Sequence, residues 1–286
     1  MSSHGTIDTP WLPRASCSAS CVAADPARAS RPTIVAARTT LRVLCAVLIF
    51  TAVPLLAIPM PGRSRVQRVY CRLMLRCLGV RITLSGGPIR NLSGVLVVSG
   101  HVSWVDVFVI GSVLPGSFVA RADLADWPVL GVVTRLMRII PIDRANLRRL
   151  PDVVRTVADR LRAGHTVVAF PEGTTWCGVG YGSFRPAMFQ GAIDAGRPVQ
   201  PLRLSYHHRD GAASTVPAFI GDDSLLTSIR RVITAQRTVA HVRVQSLQLP
   251  TGHRRDLALR CEAEVRGTGG PEAARRHSAG GHALVA

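Results

Sequence analysis

A chain of 286 residues with 47% hydrophobic content can build one large domain, or a domain with an anchor. Its formal charge of +18 is carried by arginine alone, since none of the 35 basic residues is Lys; this gives bidentate phosphate-binding capacity and points to an anionic membrane, a phosphorylated substrate or a nucleic acid. Only three Tyr are present and no basic run is interleaved with aromatics, which disfavours a base-stacking single-strand platform.

Residues 1–38 are rich in Ser, Ala, Pro and Arg without periodicity and read as a disordered leader. Residues 39–80 read as a membrane anchor. Val43 to Met60 carries no charge, which is just long enough for a span. Pro54 and Pro59 within it favour a re-entrant or monotopic path over a straight crossing. Arg68, Arg72 and Arg76 follow at four-residue spacing and line one helical face, with Val69, Leu73, Leu75 and Leu78 as apolar surface beside them. A basic amphipathic helix next to an apolar segment suits an anionic membrane surface.

From about Arg81 the pattern alternates between strands and helices. Strands are expected at 81–84, 95–98, 117–121, 138–142, 166–170, 199–206 and 240–249, and helices at 102–112, 127–136, 146–163, 187–195 and 254–265. Gly164 and Gly196 mark helix C-termini. The expected fold is α/β, a single domain over 81–266 with a largely parallel central sheet flanked by helices, preceded by the N-terminal membrane-associated helical segment. Residues 267–286 read as a disordered tail. The seven cysteines are scattered; Cys17 and Cys21 form the closest pair, without further His or Cys at zinc spacing, so buried thiols in a reducing compartment are expected and no metal site.

Three strand exits carry chemistry-bearing residues. The apolar run Val95–Val98 ends in Ser99-Gly100, and His101 follows with Asp106 five residues on. A histidine at a strand exit of an α/β sheet can serve as a base near neutral pH, and a nearby carboxylate can hold its tautomer. Ser103-Trp-Val-Asp106 also fits a capping box, so Asp106 can close a helix N-terminus, and the two roles are compatible. The second exit is Phe170-Pro-Glu-Gly-Thr174. Glu172 is one of four Glu in the chain, and the other three lie at or beyond residue 262. It can bond a substrate hydroxyl or orient an arginine, while Gly173 lets backbone approach a ligand; the plainer reading is a turn with a solvated carboxylate. The third exit, Ile139-Ile-Pro-Ile-Asp-Arg144, places Arg144 to clamp a phosphate, unless it pairs with Asp143 at the surface. Arg121 and Arg185 are further phosphate candidates.

The order His101…Asp106, Ile142-Asp143-Arg144, Phe170-Pro171-Glu172-Gly173-Thr174 and Val199-Gln200-Pro201 resembles the four blocks of the glycerolipid acyltransferases, over roughly residues 65–265. The branch it looks like is the bacterial 1-acyl-glycerol-3-phosphate acyltransferases. Arg121 stands where that family often has Lys. Thr175-Trp-Cys-Gly replaces the usual Arg- and Ser-rich continuation and is similar to the acyltransferases that complete ornithine lipids. The resemblance implies that His101 and Asp106 are catalytic, and that Arg144, Glu172, Gly173, Thr174 and Arg121 bind substrate. It implies direct transfer from acyl-CoA or acyl-carrier protein to 1-acyl-glycerol-3-phosphate, with no cofactor or metal, at the cytoplasmic face of the cell membrane. Lyso-ornithine lipid is the alternative acceptor. A non-catalytic basic protein binding membrane or nucleic acid is the alternative of a different class. A serine hydrolase lacks its Gly-x-Ser-x-Gly elbow.

Overall fold

The computed structural model describes residues 13–22, 32–54, 58, 62–89, 93–126, 128–144 and 146–267. The expected leader 1–38 and tail 267–286 therefore fall largely outside the described residues. Where the leader is described it is not featureless. Residues 13–22 include a 3-10 turn at Ala19–Cys21 and a buried Cys17, and a helix starts at Pro32.

That helix, α1 (Pro32–Phe50), has no buried residue and leaves Leu41, Leu44, Val47 and Leu48 exposed. It is the one described helix long and apolar enough to cross a membrane, by length and composition. It begins and ends about ten residues earlier than the uncharged stretch of the sequence suggests. Beyond Phe50 the chain passes through a turn at 51–52 into 3-10 geometry at 53–54. The first half of α1 gains a charged fastening. Arg38 donates to the carbonyl of Thr234 at 2.8 Å, and Arg42 donates to the carbonyls of Ile233, Ala235 and Gln236 at 2.6–2.7 Å.

α2 (Arg63–Cys77) divides its apolar residues. Tyr70, Cys71, Met74 and Leu75 turn inward, and Leu78 beyond its end is buried too. Val69 and Leu73 stay exposed among Arg65, Arg72 and Arg76. The outer face is thus basic with an apolar stripe.

The body is a seven-stranded sheet: β1 (Val80–Gly86), β2 (Leu96–Ser99), β3 (Ser117–Arg121), β4 (Ile140–Ile142), β5 (Val167–Ala169), β6 (Val199–His207) and β7 (Thr238–Val244). The spatial order is β1-β7-β6-β2-β5-β3-β4, and only the β6–β7 pair is antiparallel. Helices α3 (Val105–Val113), α4 (Pro128–Leu136), α5 (Leu150–Arg162), α6 (Ala187–Ala195), α7 (Leu225–Thr234) and α8 (Arg254–Arg266) complete the chain. The α/β class and largely parallel sheet expected from the sequence are observed. α7 was not anticipated.

The core lies in two layers. Along β2, Val97 packs with the α2, α3 and α7 side, whereas Leu96 and Val98 pack with the α5, α6 and α8 side. A central strand covered on both faces must be apolar at every position, which is why it reads as an unbroken hydrophobic run. Gly111 lets α3 and α2 approach: an added Cβ would sit 2.9 Å from the Cys71 sulfur.

Candidate active site

The C-terminal ends of parallel strands gather the chemistry. His101 lies just beyond β2, Glu172 just beyond β5, Arg121 at the end of β3 and Arg144 just beyond β4. Since the spatial order is β2-β5-β3-β4, these residues fall in a row along one edge of the sheet. The histidine strand and the Arg144 strand are three inter-strand spacings apart, about 14 Å.

At the first end, Nδ1 of His101 lies 2.8 Å from Oδ2 of Asp106. The same oxygen accepts the backbone N–H groups of Val102 at 2.7 Å and Ser103 at 2.9 Å. The bond to Ser103 is one half of the anticipated capping box, so Asp106 closes α3 and grips the imidazole at once. Its Oδ1 accepts the hydroxyl of Tyr206 at 2.6 Å. Asp106 is fully buried, yet both oxygens are satisfied. Burial first, then the Asp106 charge and hydrogen bond, hold the Tyr206 phenol well above its usual range, which keeps it a donor. The imidazole ring stacks on Phe170 at 3.9 Å between centroids, 12° from parallel. Tyr206 and the stacking role of Phe170 are additions that local sequence reading did not supply.

Glu172 is only 5% exposed and faces inward. Oε2 accepts the backbone N–H of His101 at 2.9 Å, and Oε1 accepts that of Gly182 at 3.3 Å. Both oxygens thus take part in a brace between the β2 and β5 exits. Burial pushes its carboxyl up to about 7, against the two backbone hydrogen bonds and Arg266, which favour the charged form. The Gly182 loop is itself fixed from α8: Arg266 lies over the Tyr181 ring at 3.9 Å, and Glu262 accepts the Phe184 N–H at 2.7 Å.

Gly173 follows in a left-handed backbone conformation. It has φ +74°, but the space beside it is filled: an added Cβ would meet Pro13 at 2.9 Å. The N-terminal segment, not an open cleft, covers this flank. Thr174 is half-buried. Thr175 donates to the carbonyl of Phe219, and Trp176 donates its backbone N–H to the carbonyl of His101 at 2.7 Å.

At the far end, Arg144 is half-buried and lies within electrostatic reach of Arg121, Asp123 and Arg185. Burial first, then repulsion by Arg121, pulls its guanidinium down to about 10, with Asp123 opposing and Arg185 adding. Arg121 is exposed and forms a two-bond pair with Asp123 at 2.9 and 2.6 Å. Three arginines therefore share one corner with a single carboxylate among the groups that act on Arg144.

A His–Asp pair at one strand exit and clustered arginines farther along the same sheet edge make these strand ends the candidate site of the α/β fold. Comparison with known proteins gives its class. Residues 81–205 match the family model described as Acyltransferase. The chain is 33% identical over 181 residues to a 1-acyl-sn-glycerol-3-phosphate acyltransferase of Neisseria meningitidis, covering 63% of this chain and 71% of that protein. It is 31% identical over 222 residues to a lyso-ornithine lipid O-acyltransferase of Pseudomonas aeruginosa, covering 76% and 84%. In fold it is similar to the crystal structure of PlsC, the 1-acyl-sn-glycerophosphate acyltransferase of Thermotoga maritima, with a TM-score of 0.59 and 19% identity over 83% of this chain and 96% of that one. The chain belongs to this acyltransferase family and is an acyltransferase of the lysophospholipid type.

Proposed function

We propose that the protein transfers a fatty acyl group from acyl-CoA or acyl-carrier protein to the free hydroxyl of 1-acyl-glycerol-3-phosphate, giving phosphatidic acid. The observation that carries this reading is the row of strand exits, with a histidine base at one end and clustered arginines at the other. A phosphomonoester carries up to two negative charges, and guanidinium groups match it bidentately. The acceptor head group lies along the sheet edge with its phosphate at Arg144 and its hydroxyl at His101.

In the mechanism, Asp106 holds the Nδ1 side of the imidazole, which leaves Nε2 to take the hydroxyl proton. The alkoxide attacks the thioester carbonyl and the C–S bond breaks. The departing thiolate takes the proton back from the imidazolium. Glu172 and Phe170 position the base rather than touch the substrate. The acceptor is amphiphilic, and α1 together with the basic outer face of α2 supports attachment to an anionic leaflet on the cytoplasmic side.

A second acceptor, lyso-ornithine lipid, is favoured by Thr174-Thr175-Trp176 and by the longer match to the Pseudomonas protein. The two are separated by assaying full-length protein in vesicles with an acyl thioester and each lysolipid in turn. A strong preference for the phosphate acceptor is expected. Preference for lyso-ornithine lipid overturns the acceptor assignment, and no transfer to any lysolipid overturns the mechanism.

A further inference from the structure

Away from the acid–base pair, the Sγ atoms of Cys17, Cys21 and Cys177 all lie within 4.8 Å of one another. Cys17 and Cys21 stand four residues apart around the 3-10 turn of the N-terminal segment. Cys177 comes from the loop that continues the Phe170–Thr174 motif, far along the chain. Local spacing shows only the first two, which is why sequence reading finds no metal set. We propose that these three thiols form a binding site for one thiophilic d10 cation, zinc or cuprous copper, which clips the N-terminal segment onto the loop beyond Glu172.

Several features distinguish this cluster from ordinary core thiols. Cys71 and Cys261 are buried within the two main core layers. Cys17 and Cys177 instead form a separate small apolar cluster with Trp176 and Ile220, packed by Ala15, Cys21 and Val22. The sulfur of Cys177 already accepts the backbone N–H of Gly180 at 3.2 Å, the kind of outer contact that fixes a ligating thiolate. A Cys-x3-Cys pair with a distant third cysteine is a soft donor set. Three sulfurs suit trigonal cuprous copper, or tetrahedral zinc with solvent in the fourth position.

The consequence reaches the proposed active site. Pro13, four residues before Cys17, packs against Gly173. Trp176, next to Cys177, is bonded to the carbonyl of His101. A cation here would therefore hold the segment that covers the Gly173 flank and stiffen the loop bonded to the histidine's backbone.

The test uses reduced, metal-stripped full-length protein under anaerobic conditions. Zn2+ and Cu+ are titrated separately, each against a chromophoric chelator, and protected thiols are mapped by alkylation and mass measurement. One equivalent of one ion is expected, with Cys17, Cys21 and Cys177 protected together. Cys17→Ser and Cys177→Ser should each weaken binding at least by the ~10–100-fold that even an outer contact is worth. Cys45 and Cys77 are a second neighbouring thiol pair, and their joint replacement by Ser should leave the stoichiometry unchanged. The proposal is overturned if neither ion binds at one equivalent. It is also overturned if the equivalent is lost only with Cys45 and Cys77, or if Cys17 and Cys177 are isolated as a disulfide that added metal does not prevent. Mapping on the unaltered chain decides the matter even if a serine variant folds poorly.

Discussion

At the exit of β2 both oxygens of a buried carboxylate are engaged, whereas at the exits of β3 and β4 the charged groups stand in or near solvent. Asp106 has no exposed surface and accepts four hydrogen bonds. The Arg121–Asp123 pair, by contrast, has side chains 59% and 50% exposed. The contrast fits two tasks. A base must hold one direction to within a fraction of an ångström. A long-range anion trap needs charge and reach, and tolerates side-chain motion. The proposed chemistry thus sits on a braced frame, and the proposed head-group recognition on longer, looser arms.

The strongest way to break this contrast is to remove the base. His101→Ala should lower kcat by about 10²–10⁴-fold or more while the melting temperature stays close to that of the parent. Measurement of turnover and of thermal melting on the same sample checks both halves. Turnover that survives would move the base elsewhere, and a collapsed fold would show that the ring serves packing against Phe170.

The next effect belongs to Glu172, whose brace has a pH cost. Its carboxyl stands at about 7 in the folded chain, against 4.5 unperturbed. Between those values the folded state holds a proton that the unfolded state has lost. Stability therefore falls as pH rises from about 4.5 to about 7, and this contribution is level above. The difference amounts to about 3 kcal/mol. Glu172→Gln removes the titration, so its melting temperature should fall less than the parent's between pH 5 and pH 7.5 (values chosen to bracket roughly that window). Parallel curves would show that Glu172 is ionised throughout.

The braced end and the loose end also differed in how far the sequence disclosed them. His101 and Asp106 sit five residues apart at a hydrophobic-to-polar break, so their contact is local and readable. Strand Ser117–Arg121 and helix Ala187–Ala195 have the expected bounds, because their apolar patterns end abruptly. Tyr206 was not readable as a partner of Asp106: it lies 100 residues away, and only the pairing of β2 with β6 brings their elements together. The inward turn of Glu172 depends on the backbone of His101, 71 residues away, and on the Gly182 loop that α8 holds in place. α7, by contrast, was legible: Leu225, Ile229, Val232 and Ile233 follow the spacing of an amphipathic helix, behind Ser224 as its N-cap. The offset of α1 is fixed by arginines meeting the end of that unanticipated helix. Spacing rules see neighbours along the chain, whereas the contacts of Tyr206, Glu172 and α1 reach across it.

A smaller effect is expected at the loose end. Arg144→Ala removes a charged hydrogen-bonding group worth about 1.5–3 kcal/mol, so KM for 1-acyl-glycerol-3-phosphate should rise by about 10–100-fold with little change in kcat. Arg121→Ala should raise it by less, since Arg121 is exposed and shared with Asp123. Both effects should shrink with an acceptor that lacks the phosphate. A fall in kcat at constant KM would place Arg144 in the transition state and erase the division between the two ends.

A last substitution, milder than Arg144→Ala in its effect on kcat/KM, sharpens the contrast most. Tyr206→Phe deletes the donor to Oδ1 of Asp106 and leaves that buried oxygen without its partner, which should cost about 1–3 kcal/mol of stability. The imidazole, however, is gripped by Oδ2, and that oxygen keeps the backbone N–H groups of Val102 and Ser103. Neither amide moves when a side chain on β6 is shortened by one oxygen. Turnover should therefore fall by less than about tenfold, under about 1.4 kcal/mol at the barrier, while denaturant unfolding registers the larger loss. Equal losses in both measurements would mean that the phenol acts through the histidine. Orientation of the base would then rest on the entire carboxylate rather than on the single oxygen tied to the start of α3.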